Sequence, residues 1–283
     1  MVVEEIPEDK SELNRQDSFS ANDDQSNELT DEPVFENDDG AAKKLTFKRS
    51  ATIIAVMVIG YQFTALFLAL AYGVSLFVAS ENEPSYSFYI INDLLGIVWF
   101  FLFLGVVLND IYRHNIAPSS LFNWDFRILS QQIPRVLLYF IPCALFVGLT
   151  SALSTETELE FADGDPLVVS LAFLSAVILA PIIEELIFRG YLQTSMLDEF
   201  KRPRERIVVN GMLFAAAHMF ILAAMFSTFP YYIFLLGFLF AKLYEETRSV
   251  LPGILLHGLN NLLVFGIDVY KFLYLQDSAS DIL

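Results

Sequence analysis

Long apolar segments constrain this chain more than any other feature of its sequence. Crossing the hydrocarbon core of a bilayer takes about 20 apolar residues in a helix, and most of the segments reach that length. With 55% hydrophobic residues and a mean hydropathy of +0.50, the chain is largely excluded from the class of soluble proteins. The sequence predicts an all-α, polytopic transmembrane helical bundle of seven spans, or eight if the long first apolar run or residues 115–135 contribute a further membrane-embedded helix. The segments lie near 51–79, 88–108, 133–153, 166–188, 207–224, 231–243 and 250–270.

The net charge of −17 belongs mainly to the N-terminal tail. Residues 1–42 hold 14 Asp and Glu against two basic residues, so −12 of the −17 lies there. Such a polar, acidic segment cannot bury enough apolar surface to offset its chain entropy. We expect a disordered acidic tail in front of the first span.

The connections between spans differ in their basic residues, and this difference predicts the topology. Positive residues near span ends are retained on the cytoplasmic side. The N-terminal flank has four Lys or Arg, and the second, fourth and sixth connections have three, five and two. The first, third and fifth connections have none. The N-terminus is therefore predicted to be cytoplasmic, in an integral, multi-pass membrane protein.

The first polar motif inside the apolar region lies at the cytoplasmic end of the fourth predicted span. Glu185 and Arg189 are four residues apart with the acid first, the favourable orientation for a helical ion pair. Glu184 is rotated about 100° away from Glu185 on the same helix and lacks that cation. A desolvated carboxylate of this kind suits a general base. The alternative is a charged helix end at the membrane interface.

Two further motifs follow, in the fifth and seventh predicted spans. The segment Phe214-Ala-Ala-Ala-His218 places a histidine after three small residues that permit close helix contact. His257 and Asn261 lie four residues apart on one helical face. Hydrogen-bonded packing explains a lone histidine, and a polar clamp between helices explains the second pair, so each motif alone leaves both interpretations open.

Depth in the membrane favours a common site for these motifs. At a rise of about 1.5 Å per residue, His257 lies about 10 Å and His218 about 16 Å from the cytoplasmic ends of their helices. Glu184 lies several ångströms from the cytoplasmic end of its own helix. All three can meet in the cytoplasmic half of the bilayer. Two imidazoles, a carboxylate and a carboxamide at that depth match the ingredients of hydrolysis by an activated water.

These three segments together resemble the motif regions of a known family. EELIFRG, FAAAH and FLLGFLFAKLYEETRSVLPGILLHGLNN are similar to the Glu-Glu-x-x-x-Arg, Phe-x-x-x-His and His-x-x-x-Asn/Asp motifs of the CPBP intramembrane proteases. That family comprises CAAX prenyl proteases and bacteriocin-processing or immunity (Abi-like) proteins. The similarity covers roughly residues 166–268. Together with the composition, it predicts a disordered acidic cytoplasmic tail at 1–42, N-terminal transmembrane helices at 43–160 and a CPBP-like catalytic core at 161–275.

The resemblance also implies roles for individual residues. Glu184 and His218 would activate the attacking water, while His257 and Asn261 would bind the substrate carbonyl or stabilise the oxyanion. The family is described as a metalloprotease family, and a zinc site of His218, His257 and Glu184 is as compatible with these residues as a metal-free glutamate mechanism. The residues that would support the motifs are Glu185, Arg189 and Phe214.

The function expected from these observations is an intramembrane endopeptidase. Its substrate would be a membrane-associated peptide or protein, prenylated and CAAX-like or carrying a leader peptide, and its other partner is the lipid bilayer, with no nucleic acid. A non-catalytic immunity or scaffold protein of the same fold is the alternative. A proton-coupled transporter would also use acids inside the membrane, but the sequence has no internal repeat of the kind common in transporters.

Overall fold

The computed structural model describes residues 45–79, 86–153, 165–218 and 229–280, which are mostly helical with no strand among them. The predicted tail at 1–42 lies outside the described residues. We number eight helices in the described part of the chain. They are α1 (Phe47–Ala79), α2 (Tyr86–Arg113), the short α3 (Pro118–Leu121), α4 (Phe126–Leu153), α5 (Pro166–Gln193), α6 (Pro203–His218), α7 (Phe229–Thr247) and α8 (Leu251–Ser280).

Five segments of the described chain are long and apolar enough to cross a membrane. They comprise α1, α2, a segment of α3 and α4 together, α5, and α8. Every one of them overlaps a span predicted from the sequence, which confirms an all-α membrane bundle and an integral membrane protein. The fifth and sixth predicted spans correspond to α6 and α7, which are outside this set of five. Those two spans, and the cytoplasmic N-terminus, stay predictions.

Helix α5 carries the Glu-Glu motif and is not a regular α-helix. It begins after Asp165, whose side chain accepts a hydrogen bond from the Leu167 backbone N–H at 2.7 Å and so caps the helix. It then contains two π-helical stretches, Leu174–Leu179 and Leu186–Gln193, on either side of the segment Ala180–Glu185. π-Helical turns inside α-helices occur frequently at functional sites.

Pro181 leaves a carbonyl of the first π stretch without a donor. The backbone N–H of Ala180 donates to Ser175 five residues earlier, as in a π-helix. The next donor in this pattern would be residue 181, which would bond Ala176, but proline has no N–H. The Ala176 carbonyl therefore needs a partner from outside the helix.

Helices α6 and α7 cross at two glycines. A Cβ added to Gly211 would lie 3.1 Å from the backbone nitrogen of Phe238, and one added to Gly237 would lie 3.1 Å from the Cα of Gly211. The two backbones are thus too close for any larger residue without a shift. This crossing brings the end of α6, which carries His218, close to the helices that hold the other motifs.

Buried polar contacts fix the end of α5 that follows the Glu-Glu motif. Tyr191 donates to Asp110 of α2 at 2.6 Å, and Asp110 also accepts from Arg49 of α1 at 2.6 Å. Gln193 donates to the carbonyl of Ala241 at 2.9 Å. Three neighbouring helices therefore hold the position of α5 close to the motif.

Candidate active site

The structure brings Glu184, His218 and His257 together from three helices. His218 Nε2 lies 3.5 Å and His257 Nε2 lies 4.0 Å from Glu184 Oε2. His257 is buried, at 5% exposed, while His218 and Glu184 are partly buried. Two imidazole nitrogens thus face one carboxylate oxygen, as the depth comparison predicts.

The other ring nitrogens of the two histidines are held by acceptors. His218 Nδ1 lies 2.7 Å from the carbonyl oxygen of Phe214, and His257 Nδ1 lies 3.3 Å from Glu185 Oε1. A carbonyl and a carboxylate only accept hydrogen bonds, so each Nδ1 carries a proton. In a neutral ring, Nε2 is then an acceptor that faces Glu184. The oxygen that the two rings face, Glu184 Oε2, is buried and has no hydrogen-bond partner among the described residues.

Glu185 forms the predicted pair with Arg189 and has a second contact that the sequence did not predict. Arg189 Nη1 donates to Glu185 Oε1 at 2.9 Å, and both side chains are fully buried. The same carboxylate oxygen faces His257, so Glu185 connects the arginine to the imidazole. Its other oxygen lies against Gly253 of α8, where an added Cβ would be only 2.6 Å away. Gly253 therefore leaves the space that this carboxylate occupies.

Three aromatic rings surround the buried guanidinium of Arg189. Its Cζ lies 4.5 Å from the Phe214 ring centre, 5.1 Å from that of Phe240 and 5.8 Å from that of Phe188. Arg189 Nη2 also donates to the carbonyl of Gly237 at 3.1 Å. Ring faces attract cations, so Phe214 stabilises the arginine that pairs with Glu185.

Phe240 is a site residue that the sequence analysis missed. Its ring stacks on His257 at 4.7 Å between centres and fixes the plane of that imidazole. Phe214 makes the corresponding contact with His218 at 4.4 Å. A phenylalanine in a chain with 27 of them carries no signal that could have distinguished it.

Asn261 contacts the irregular part of α5. Its side-chain nitrogen donates to the carbonyl of Ala176 at 2.8 Å, and its oxygen accepts from Asn260 at 3.2 Å. Asn261 thus supplies the donor that Pro181 cannot, and the polar clamp between helices that the sequence left open is present. One N–H of the carboxamide is used in this contact, which leaves the second for another acceptor. The neighbouring Asn260 accepts a hydrogen bond from Tyr232, and neither residue was predicted.

A cavity of about 350 Å³ adjoins Glu184, His218 and Asn261. Its lining also includes residues of α1 and α2, which lie outside the three sequence motifs. Gln62 of α1 donates to the carbonyl of Ala217 at 3.4 Å, and its side-chain oxygen is buried with no partner among the described residues. The polar residues that α1 and α2 contribute to the lining are Tyr61, Gln62, Asn92 and Asp93.

The expected zinc site is not formed by the side chains as they stand. In the described part of the chain, no group of three or more His, Cys, Asp or Glu side chains is arranged to hold a metal ion. The zinc interpretation of Glu184, His218 and His257 stays a prediction.

Comparisons with known proteins support the sequence resemblance. A family model described as type II CAAX prenyl endopeptidase, Rce1-like, matches residues 166–263. None of the curated proteins and none of the solved structures matches the chain. The matched residues begin at α5 and end within α8, so they include all three motifs and exclude α1 to α4. The match supports the assignment of residues 166–263 to the CPBP/CAAX protease family.

Proposed function

We propose that this protein is an intramembrane endopeptidase in which Glu184 activates a water molecule to hydrolyse a peptide bond. The observation that carries the proposal is the approach of two imidazole Nε2 atoms, at 3.5 and 4.0 Å, to a buried carboxylate oxygen that has no hydrogen-bond partner among the described residues. A polar cluster of this kind is costly inside a membrane. Its position beside a cavity gives it access to a substrate.

Glu184 and His218 can orient one water between them. Such a water donates one proton to Glu184 Oε2 and the other to His218 Nε2, so that a lone pair is left for the substrate carbonyl carbon. As the new C–O bond forms, Glu184 takes a proton from the water. Glu184 then gives this proton to the leaving nitrogen when the C–N bond breaks, so the glutamate is again a carboxylate at the end of the cycle.

His257 and Asn261 are the proposed donors to the oxyanion. Because His257 Nδ1 is already held by Glu185, its Nε2 can donate only when the ring carries both protons. Two carboxylates lie beside this ring, with Glu184 Oε2 4.0 Å from Nε2 and Glu185 Oε1 3.3 Å from Nδ1. Asn261 contributes the N–H that is not bound to Ala176. Donors placed in this way stabilise charge that develops only in the transition state.

The substrate class follows from the membrane position and the family. We place the cleaved bond in a membrane-associated peptide or protein, on the side of the bilayer where the Lys- and Arg-rich connections lie. A prenylated CAAX-like C-terminus and a leader peptide are the two substrate types to compare first. Incubation with a chelator and then with zinc tests the metal: activity that is lost and then restored assigns a metal site, and unchanged activity assigns the glutamate mechanism.

The decisive experiment compares Glu184→Gln with the wild type on membrane-associated peptides in detergent or liposomes. The substitution keeps the side-chain size and removes the base, so we expect hydrolysis to fall by about 10²- to 10⁴-fold. Glu199→Gln removes an exposed carboxylate outside the cavity and serves as the matched control, with activity near that of the wild type. Wild-type turnover by folded Glu184→Gln would exclude the proposed mechanism.

A further inference from the structure

The cavity beside the candidate active site contains a second carboxylate, Asp93 of α2. Asp93 is partly buried and lies within the apolar segment Phe88–Arg113. Among the described residues, the Asp93 carboxylate has no hydrogen bond or ion pair. The described residues that line the cavity include no Lys or Arg. The proposed hydrolysis does not use this residue.

An acidic side chain at such a position needs a physical reason. A carboxylate in an apolar environment is unfavourable unless it is paired or hydrogen-bonded, and ionisable residues inside spans usually face a ligand, an ion or another polar group. The side-chain oxygen of Gln62, which is buried and has no hydrogen-bond partner among the described residues, belongs to the lining of the same cavity. Two acceptors from α1 and α2 therefore face a space to which the described part of the chain contributes no Lys or Arg.

The distance between Asp93 and Glu184 follows from the register of α2 against α5. The hydrogen bond between Asp110 and Tyr191 aligns the two helices, which run in the same direction in the predicted topology. Asp93 lies 17 residues before Asp110, and Glu184 lies seven before Tyr191. At about 1.5 Å per residue the two carboxylates are separated by about 15 Å along the bundle. An extended peptide covers that distance in about four or five residues.

The charge of the adjoining connections agrees with a cationic ligand. Asp93 lies in the part of α2 that follows the connection 80–85, and α5 begins after the connection 154–165. Together these two connections contain seven Asp or Glu and no Lys or Arg. Clefts and rims of one sign raise the local concentration of ligands of the opposite sign. The acidic composition of the connections that precede α2 and α5 is thus consistent with a positively charged ligand.

We propose that Asp93 forms a subsite for a positively charged substrate side chain, a lysine or arginine four or five residues from the cleaved bond. This inference rests on the proposed endopeptidase function and adds a substrate preference to it. The α1–α2 pair, which lies outside the matched residues 166–263, then selects the substrate, while α5, α6 and α8 carry the residues that carry out hydrolysis. A neutral or acidic residue at the same substrate position lacks this pairing.

The test uses the full-length protein and a peptide that the wild type cleaves. One lysine is moved through positions three to six on either side of the cleaved bond, with alanine and glutamate in its place as references. For the wild type we expect kcat/KM to rise about tenfold for lysine over alanine at position four or five on one side, between the values for exposed and fully buried ion pairs. Asp93→Asn should lose this preference and keep the activity on the alanine peptide.

Two further variants keep the outcome decisive. Asp93→Lys should reverse the preference in favour of the glutamate peptide, and Asp198→Asn, which removes an exposed carboxylate, should keep the lysine preference. Folding of every variant is checked by gel filtration in detergent. Cleavage without a lysine preference, or a preference that survives in Asp93→Asn, would overturn the subsite and leave the proposed function intact. No cleavage of any peptide by the wild type would remove both.

Discussion

Substitution of Gly253 by alanine tests whether the Glu185 carboxylate holds the site together. The added Cβ would lie 2.6 Å from Glu185 Oε2, whereas ordinary van der Waals contact begins near 3.4 Å. The oxygen must therefore retreat by about 0.8 Å. Glu185 is fully buried and is bound to Arg189 at 2.9 Å and to His257 at 3.3 Å, so it cannot move without disturbing these partners.

The expected change in the free energy of unfolding is the cost of overpacking minus the gain in helix propensity. Overpacking of this kind costs about 1–3 kcal/mol, and alanine in place of glycine inside a helix returns about 0.8–1 kcal/mol. We expect Gly253→Ala to lower the free energy of unfolding by up to about 2 kcal/mol. The effect on hydrolysis should be larger, because His257 shifts with Glu185 and a displacement of about 1 Å can reduce a rate by about 10²-fold.

The assay compares thermal unfolding and peptide hydrolysis of Gly253→Ala with two control variants on the same helix. Gly258→Ala meets only the Val177 carbonyl oxygen at 3.7 Å, and Gly266→Ala meets nothing within 4 Å. Both controls should keep stability or gain it. If Gly253→Ala matches Gly258→Ala in both stability and hydrolysis, the carboxylate is not held as tightly as its contacts indicate, and the reasoning fails.

Three other predictions concern stability and topology. Glu185→Gln leaves the buried Arg189 without a counter-charge, so we expect the free energy of unfolding to fall by about 3–5 kcal/mol. Reduced yield and a reduced melting temperature would show this loss, and an unchanged yield and melting temperature would contradict it. Gly190→Ala places a Cβ 2.7 Å from Cε1 of the Phe122 ring, and it should destabilise by about 1–3 kcal/mol relative to Gly148→Ala, which has open space. A reporter inserted at residues 80–87 should lie on the non-cytoplasmic side, and a cytoplasmic signal would reverse the topology.

Local spacing was sufficient to predict one part of the site. The pair of Glu185 and Arg189 depends only on four residues of one helix, and the structure has it at 2.9 Å. Comparison of depths also predicted that Glu184, His218 and His257 can meet, because each depth depends on helical rise and on the end at which the helix enters the membrane. Both arguments use distances along single helices.

Contacts between helices could not be predicted in this way. The approach of His257 to Glu185 depends on how α8 is rotated against α5. The residue spacing within a single helix gives no information on that rotation. The contact of Asn261 with Ala176 depends on a π-helical stretch that interrupts the 3.6-residue repeat. Pro181 was a visible signal that a nearby carbonyl would lack its backbone donor. The sequence did not indicate which side chain would replace it.

The π-helical stretch Leu174–Leu179 of α5 sets the direction of the Glu184 side chain. A π-helical turn accommodates about one residue more than an α-helical turn, and one residue corresponds to about 100° around the helix. If the same residues formed an uninterrupted α-helix, Glu184 would be turned by roughly that angle relative to the start of α5. Every side chain of the motif would be retained, but Glu184 would face another helix or lipid. The irregular turn before the motif is thus as much a condition for the proposed catalysis as the identity of the glutamate.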